Sequence, residues 1–467
     1  MSAPLESLLQ LRLQLQPGEF SDSGASRIEA LRRDGLASFK EQGLPTNRVE
    51  NWKGTRLAPL AAMEFTRVGR SQHTSSRMLE SVEALAREPE LVFIDGEFDA
   101  RLSRLTDLPN GVRVSSLSDS IQNDPGSLDG ILATLTDLKI QPLVALQTAF
   151  LSDGAFVSVD PSAQIDRPIR LLFISTDDNP AAASSDDAAS MSSSAAFPRL
   201  LVVAGKNSSL TLQLEHVSAG SASGFTNFVA EFLLAEGANV ETLEIQAEAD
   251  ARIHFTSAHA RLDRNAVFNS HVVTVGRGLV RSELEIKLAE PGAEAALCGL
   301  FMGLGHAHLD HFTTVDHAAE RCTSDQEYRG VLADRSKGVF RGRVLVRPGA
   351  QKTDATQSNP NILLSDHATI DTKPQLEIYA DDIRASHGST IGQLDADALF
   401  FMQARGIDLE EAKSLLTGAF ARGVIARIKD PALRESAMAF VEMSLAEISG
   451  HAVANSSSDS LAGQAIQ

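Results

Sequence analysis

Cysteine is scarce in this chain of 467 residues: Cys298 and Cys322 are the only two. Two thiols cannot build a disulfide framework, so the sequence points to a reducing compartment. Long hydrophobic runs are missing as well. No segment approaches the roughly 18 consecutive apolar residues of a membrane span. The opening residues interrupt their apolar positions with Glu6, Gln10, Arg12 and Gln14, which excludes the continuous core of a secretory signal. The expected location is therefore the cytoplasm. Basic residues are outnumbered, 42 Lys and Arg against 61 Asp and Glu, for a net charge of -19. Such an excess repels phosphate backbones and anionic lipid, so neither nucleic acid nor a membrane is an expected partner. The sequence also has no G-x-x-x-x-G-K-[ST], no G-x-G-x-x-G opening a helix after a strand, no H-E-x-x-H and no G-x-S-x-G. Without those phosphate cradles, zinc pairs and nucleophile elbows, the chain is not expected to bind a nucleotide or to act as a serine hydrolase.

With 43% hydrophobic and 22% charged residues, the chain is long enough for two or three folded domains. Ile28, Leu31, Leu36 and Phe39 fall near helical spacing before Gly43, and Leu91 to Ile94 followed by Asp95-Gly96 reads as a strand and its turn. Trp52, the sole tryptophan, reads as a packing anchor. After Phe156 strand follows strand: Ile169–Ile174, Leu200–Val203, Leu210–Leu214, Phe228–Leu234, Val240–Ile245 and Val267–Val275. Similar turns recur at Gly237, Asn265, Gly292 and Gly349, separated by 28, 27 and 57 residues, the last near twice the others. A loose repeat of this length favours a mainly β solenoid, each coil burying its apolar face on the next, over a sandwich. The Ala, Ser and Asp-rich stretch near 181–196 reads as a disordered insertion. Helices then close the chain, with Asp395, Asp408 and Asp430 as N-caps, Gly406 as a stop and Gly450 as the last terminator. The organisation expected is a mostly helical domain over 1–150, a β core over 151–394, a helical domain over 395–450 and a flexible tail over 451–467.

Three groups of residues carry possible chemistry. His306, His308, Asp310 and His311 have the H-x-H-x-D-H spacing of metallo-β-lactamase-like zinc hydrolases, with His367 and Asp371 downstream as further conceivable ligands. If the segment is a strand, His306, His308 and Asp310 share one face and His311 points to the other, which breaks the zinc set. Cys298 and Cys322 lie 24 residues apart, close to one coil, a spacing that would make them neighbours in a stack, and they read as buried, unreactive thiols. His387, between Ser386 and Gly388, reads either as an accessible imidazole able to ligate iron or zinc or as a corner histidine bonded to backbone.

The run from Asp310 to Gly406 resembles the SufB/SufD family of iron-sulfur cluster assembly proteins, in its SufD-like form. The resemblance rests on Thr314-Val315-x-His317, Ser324-Asp-Gln326-x-Tyr328, Gly338-Val-Phe340-x-Gly342, Ala350-Gln-Lys-Thr353, Gln357-x-Asn359, Asp371 to Asp382 and Ser386-His-Gly-Ser-Thr-Ile-Gly-Gln-Leu-Asp395. Pro45-x-x-Arg48-x-Glu50-x-Trp52-Lys53 is a weaker N-terminal echo. It implies a right-handed parallel β-helix between helical domains and a non-catalytic scaffold role. The expected partners are a SufB subunit, met through the β-helix, and the ABC-type ATPase SufC, met through C-terminal helices carrying Phe400, Arg405, Leu415 and Phe420. A homodimer is the alternative when SufB is absent. The resemblance further implies a transient iron-sulfur cluster built at the SufB interface beside His387, which is also the metal-ligand candidate. Family members often read Cys-Ser-His-Gly there, whereas this chain has Ala385-Ser386-His387-Gly388, leaving the imidazole and the partner as ligand sources.

Overall fold

Six residues spaced about one coil apart adopt left-handed backbone conformations: Asn207, Gly237, Asn265, Gly292, Arg321 and Lys352, with φ of 54°, 69°, 53°, 77°, 59° and 61°. Glycine and asparagine reach this region at least cost. Each donates its amide to the next coil: Asn207 to Glu236, Gly237 to Arg264, Asn265 to Pro291, Gly292 to Glu320, Arg321 to Gln351 and Lys352 to Asp382. The result is a column of identical corners. It appears in a computed structural model that describes residues 9–11, 22–69, 80, 82–83, 85, 90–176, 193–220, 223–276 and 278–462.

The strands in chain order are β1 (Phe65–Val68), β2 (Leu91–Ile94), β3 (Glu97–Phe98), β4 (Val112–Ser116), β5 (Gly154–Val159), β6 (Ile169–Thr176) and β7 (Ser193–Ala196). Fourteen more follow as seven coils of two strands each: β8 (Arg199–Ala204) and β9 (Ser209–Ala219), β10 (Gly224–Leu234) and β11 (Asn239–Ala247), β12 (Arg252–Leu262) and β13 (Val267–Gly276), β14 (Leu279–Leu288) and β15 (Glu294–Gly303), β16 (His308–His317) and β17 (Thr323–Leu332), β18 (Lys337–Val346) and β19 (Asp354–Leu363), β20 (Thr369–Ile378) and β21 (Arg384–Gly392). Even-numbered strands from β8 to β20 stack in parallel in one sheet, and odd-numbered strands from β9 to β21 in the other. The repeat ranges from 26 residues, between Ile253 and its register partner Leu279, to 32 between Lys337 and Thr369. This is the expected parallel β-solenoid.

Alternate residues of both sheets face a shared lumen lined by Leu212, Phe228, Phe232, Phe268, Leu297, Phe301, Tyr328 and Phe340. Each such side chain contributes about 1.5–3 kcal/mol by leaving water. Outward positions serve two flanking helical layers. On the sheet of β10 and β12, Phe225, Ile253 and Phe255 pack with Phe39, Trp52, Leu57 and Phe150. Trp52 meets Phe255 edge-on at 6.1 Å, as a packing anchor should. Gly35, in the helix Asp22–Gln42, lets that helix touch the helix Pro142–Ala149. A methyl group there would sit 2.8 Å from the Ala145 carbonyl oxygen. On the other sheet, Leu243, Ile245, Val273, Leu300 and Val331 receive Ala421, Val424, Ile425, Leu433 and Val441 from the helices Leu409–Ile425 and Pro431–Ala462. Arg427 pairs with Asp325 and Glu327, and Glu241 accepts from the amides of Lys429 and Asp430 at 2.8 and 2.9 Å, so the chain between the helices is fastened as well.

All three expected aspartate caps form, Asp395 on Asp397 and Ala398, Asp408 on Glu411, and Asp430 on Ala432 and Leu433. Three expectations need correction. Ser193–Ala196 is strand β7, held between β1 and β10, so disorder does not extend to 196; residues 181–192 lie outside those described. The last helix passes Gly450 and continues to Ala462, into the segment expected as a tail, and residues 463–467 lie outside the described set. A single interior glycine costs a helix only about 1 kcal/mol. Cys298 and Cys322 are not neighbours: Cys298 faces the C-terminal helices, while Cys322 lies in the lumen core. Both are free and buried, and burial pushes both thiols up, Cys298 to about 12.

Candidate functional site

The last coil has no coil beyond it. Among the described residues nothing pairs with the outer edges of β20 and β21, so one end of each sheet presents unused backbone donors and acceptors. His387 lies within β21 rather than at a corner, exposed, in register with Gln357, which in turn pairs with Gln326 and that with Leu297. Gln326 and Gln357 are buried, and Leu297 belongs to the lumen core. His387 therefore continues an inward-facing ladder and is exposed only because the stack ends there. Below it, Gln357 Nε2 donates to Gln326 Oε1 at 3.2 Å, and Thr313 Oγ1 donates to the same oxygen at 2.8 Å. Ser389, two residues on, donates to Thr372 of β20 at 3.0 Å and ties the two open edges together.

An apolar fringe surrounds this mouth. Ile378, Tyr379 and Ile391 are 41%, 62% and 52% exposed. Charged residues rim it, Lys352 paired with Asp382, Lys373 with Glu50 and Arg343 with Glu377. Lys373 and Lys53 hold the Glu50 carboxyl down at about 2. The terminal coil thus offers an accessible imidazole, hydroxyls and amides, and no thiol, since both cysteines are buried elsewhere.

The C-terminal residues expected to meet a partner divide. Phe400 and Leu415 are 73% and 43% exposed, and Phe401 beside them 57%. Arg405 is exposed, with its guanidinium 3.3 Å from the Phe401 ring centre. Phe420 instead packs in the layer between helix and sheet, with Arg329 over its ring at 5.1 Å and bonded to its carbonyl at 2.6 Å. Only part of that residue remains available to a partner.

The zinc-hydrolase alternative does not survive. His306 is exposed in a turn before β16, while His308 and Asp310 point outward and are held by Thr55. Asp310 is also paired with the buried Arg281. His311 points inward, 5.1 Å from Phe301 and 5.6 Å from Tyr328, where burial pushes its imidazole down to about 4. Strand alternation divides the four between the two faces of one sheet, and a parallel solenoid has no βα loop to reunite them. His367 is exposed, and Asp371 pairs with Lys337.

A second polar group, inside the lumen near the first coils, went unpredicted. His216 of β9, Glu244 of β11 and His254 of β12 bring one ligand atom each within 4.8 Å of one another. Glu248 accepts from His254 Nδ1, and Arg252 lies 3.2 Å from the same carboxylate. Burial works to raise the Glu248 carboxyl, but His254 and Arg252 outweigh it and hold it low. Burial raises Glu244. The available sequence signal was the run of polar residues at alternate, inward positions.

Comparison with known proteins agrees with this architecture. Residues 186–420 match the model for the SUF system FeS cluster assembly SufBD core domain, and residues 14–171 the SufBD protein N-terminal region. The chain belongs to the SufBD family. A SufBD family protein of Synechocystis is 29% identical over 393 residues, 82% of this chain and 84% of the relative. The SufD protein of Escherichia coli is 26% identical over 404 residues, 86% of this chain and 90% of the relative. The SufD protein of Bacillus subtilis is 22% identical over 302 residues, covering 64% and 66%. This SufBD chain is therefore a SufD-like iron-sulfur cluster assembly protein. No helix among its described residues is long and apolar enough to cross a membrane.

Proposed function

We propose that this chain is a non-catalytic scaffold subunit of a cytoplasmic iron-sulfur assembly complex, pairing with a SufB-like subunit through the open edges of β20 and β21. The uncapped final coil, with His387 on its lumen-facing ladder and an apolar fringe beside it, is the observation that carries this reading. A second solenoid end satisfies the unpaired edges and buries Ile378, Tyr379 and Ile391. Without that partner, two copies of this chain pair by the same edges. His387 then sits in the joint and supplies a neutral imidazole to a transient cluster, the thiolates coming from the partner because position 385 is alanine. A SufC-like ATPase docks on the exposed face of Phe400, Phe401, Arg405 and Leu415 and supplies the nucleotide-driven motion. This chain binds no nucleotide and transmits that motion through the packed helices to the solenoid.

The test is reconstitution of the three-protein complex with His387→Ala. Assembly of the complex should be unchanged, and iron and sulfide incorporated per complex should fall several-fold. Unchanged iron and sulfide would remove His387 from the mechanism. A complex that still assembles after Ile391→Asp and Tyr379→Asp would remove the terminal coil as the interface.

A further inference from the structure

His216 is almost completely buried, 1% exposed, yet neither ring nitrogen has a hydrogen-bond partner. A buried imidazole with both nitrogens idle requires an explanation, because each loses water without recompense. The ring is held by Phe173, stacked at 4.8 Å and 12°, and by Phe228 edge-on at 4.8 Å. Its polar neighbours are His254, with ring centres 4.8 Å apart, and Glu244, whose carboxylate is 3.6 Å from Nε2. Glu244 receives only neutral donors, Gln246 Nε2 at 2.8 Å and Thr256 Oγ1 at 3.1 Å. Glu248 accepts from His254 Nδ1, which leaves Nε2, now at 2.8 Å from Thr256 Oγ1, directed at the lumen.

From this arrangement we infer that the lumen of the first coils holds a divalent transition-metal ion, with His216, His254 and Glu244 as ligands. Two imidazoles and one carboxylate form the donor set of zinc and of non-haem ferrous iron. The Glu248 contact to His254 Nδ1 is the outer carboxylate that usually orients a ligating histidine and leaves its other nitrogen for the metal. Metal–nitrogen bonds of about 2.0–2.1 Å require the three atoms to draw together by roughly 1 Å, a side-chain rotation. The ion would also place a cation directly against the Glu244 carboxylate, whose hydrogen-bond donors here are the neutral Gln246 and Thr256. A small cavity lined by Gln246, Glu248, Arg252, His254, Gly276 and Val280 lies beside His254 and Glu248. This site lies at the opposite end of the solenoid from His387 and does not depend on the assembly reading.

The experiment is titration of the chelator-treated full-length chain with Co(II), with Zn(II) as competitor, followed by the visible ligand-field bands and by bound metal per chain. The expected result is one tightly bound ion, displaced by Zn(II), and a higher melting temperature with metal. Glu244→Gln, which keeps the shape, and His216→Phe, which continues the Phe173 stack, should both lose stoichiometric binding. Glu248→Gln should weaken it by about 10- to 100-fold, and His387→Ala should leave it unchanged. No stoichiometric ion in the wild-type chain, as when a buried water occupies the site, would overturn the inference. So would undiminished binding by Glu244→Gln, whose folding is checked by circular dichroism.

Discussion

Arg281 offers the sharpest test of how the N-terminal layer is joined to the solenoid. It lies on the outer face of β14, 1% exposed, and pairs with the fully buried Asp310. It also bonds Glu283 Oε1 through Nε at 2.8 Å and the Asn51 carbonyl at 3.0 Å, and places its guanidinium 3.9 Å from the Trp52 ring centre. Arg281→Met keeps most of the volume and removes the charge. A buried carboxylate left without its partner costs about 3–5 kcal/mol, and loss of a desolvated cation–π contact adds about 1–2 kcal/mol. Asp310 would keep only the neutral Thr55 hydroxyl on Oδ2, and its Oδ1 already has no partner, so among the described residues no other cation is placed to take over. The substitution should therefore lower stability by about 4–7 kcal/mol. Arg281→Met with Asp310→Leu should recover most of that, because no fully buried unpaired ion remains and Glu283, 21% exposed, still reaches water. Trp52 is the only tryptophan in the chain, so its emission in urea follows this junction while far-ultraviolet circular dichroism follows the solenoid. The single variant should release Trp52 at lower urea than the strands. A loss below about 1 kcal/mol, or a double variant no better than the sum of the two singles, would refute the reasoning.

Two further outcomes follow from the lumen. Gly299 of β15 lies beside Tyr328 of β17, and a methyl group there would fall 2.2 Å from the tyrosine ring, so Gly299→Ala should cost about 1–3 kcal/mol by overpacking, read as a lowered melting temperature. His311 and His317 are pushed by burial to about 4 in the folded chain, against an unfolded value near 6.5. The unfolded chain then binds the extra protons, so their contribution is complete above about pH 6.5 and declines as pH falls toward 4. At about pH 5 each histidine removes about 2 kcal/mol. His311→Phe should remove its share of the acid sensitivity in urea midpoints measured between about pH 5 and 8, and an unaltered slope would show that His311 does not titrate in this range.

What could be read from the chain before folding was whatever is local. Strand alternation placed His308 and Asp310 on one face and His311 on the other, and the structure has them so. The aspartate caps were equally plain, because a cap and the amides it accepts from lie within three residues. The corner column was half legible. Gly237, Asn265 and Gly292 advertise the left-handed position, but Arg321 and Lys352 occupy it in later coils, while Gly349, the residue that drew notice, does not. There the column of inter-coil hydrogen bonds holds the conformation against residue preference. The Ala and Ser residues of 193–196 likewise form a strand because β1 and β10 lie on either side.

The same distinction separates the two polar sites. His387 stands inside a continuous motif within the last strand, so its neighbours in sequence mark it. The lumen cluster unites β9, β11 and β12 across the gap between facing sheets, and its members obey no fixed spacing. Alternation tells which residues turn inward but not which of them meet, since that depends on the register of one coil over the next. Phe173, His216, Gln246 and Thr274 occupy one register line, a column in which an aromatic ring is followed by three polar groups. A solenoid core that needed only apolar stacking would have continued the phenylalanine. The departure from apolar residues at successive inward positions is thus the feature that a sequence alone displays, and the pairing of sheets is what converts it into a site.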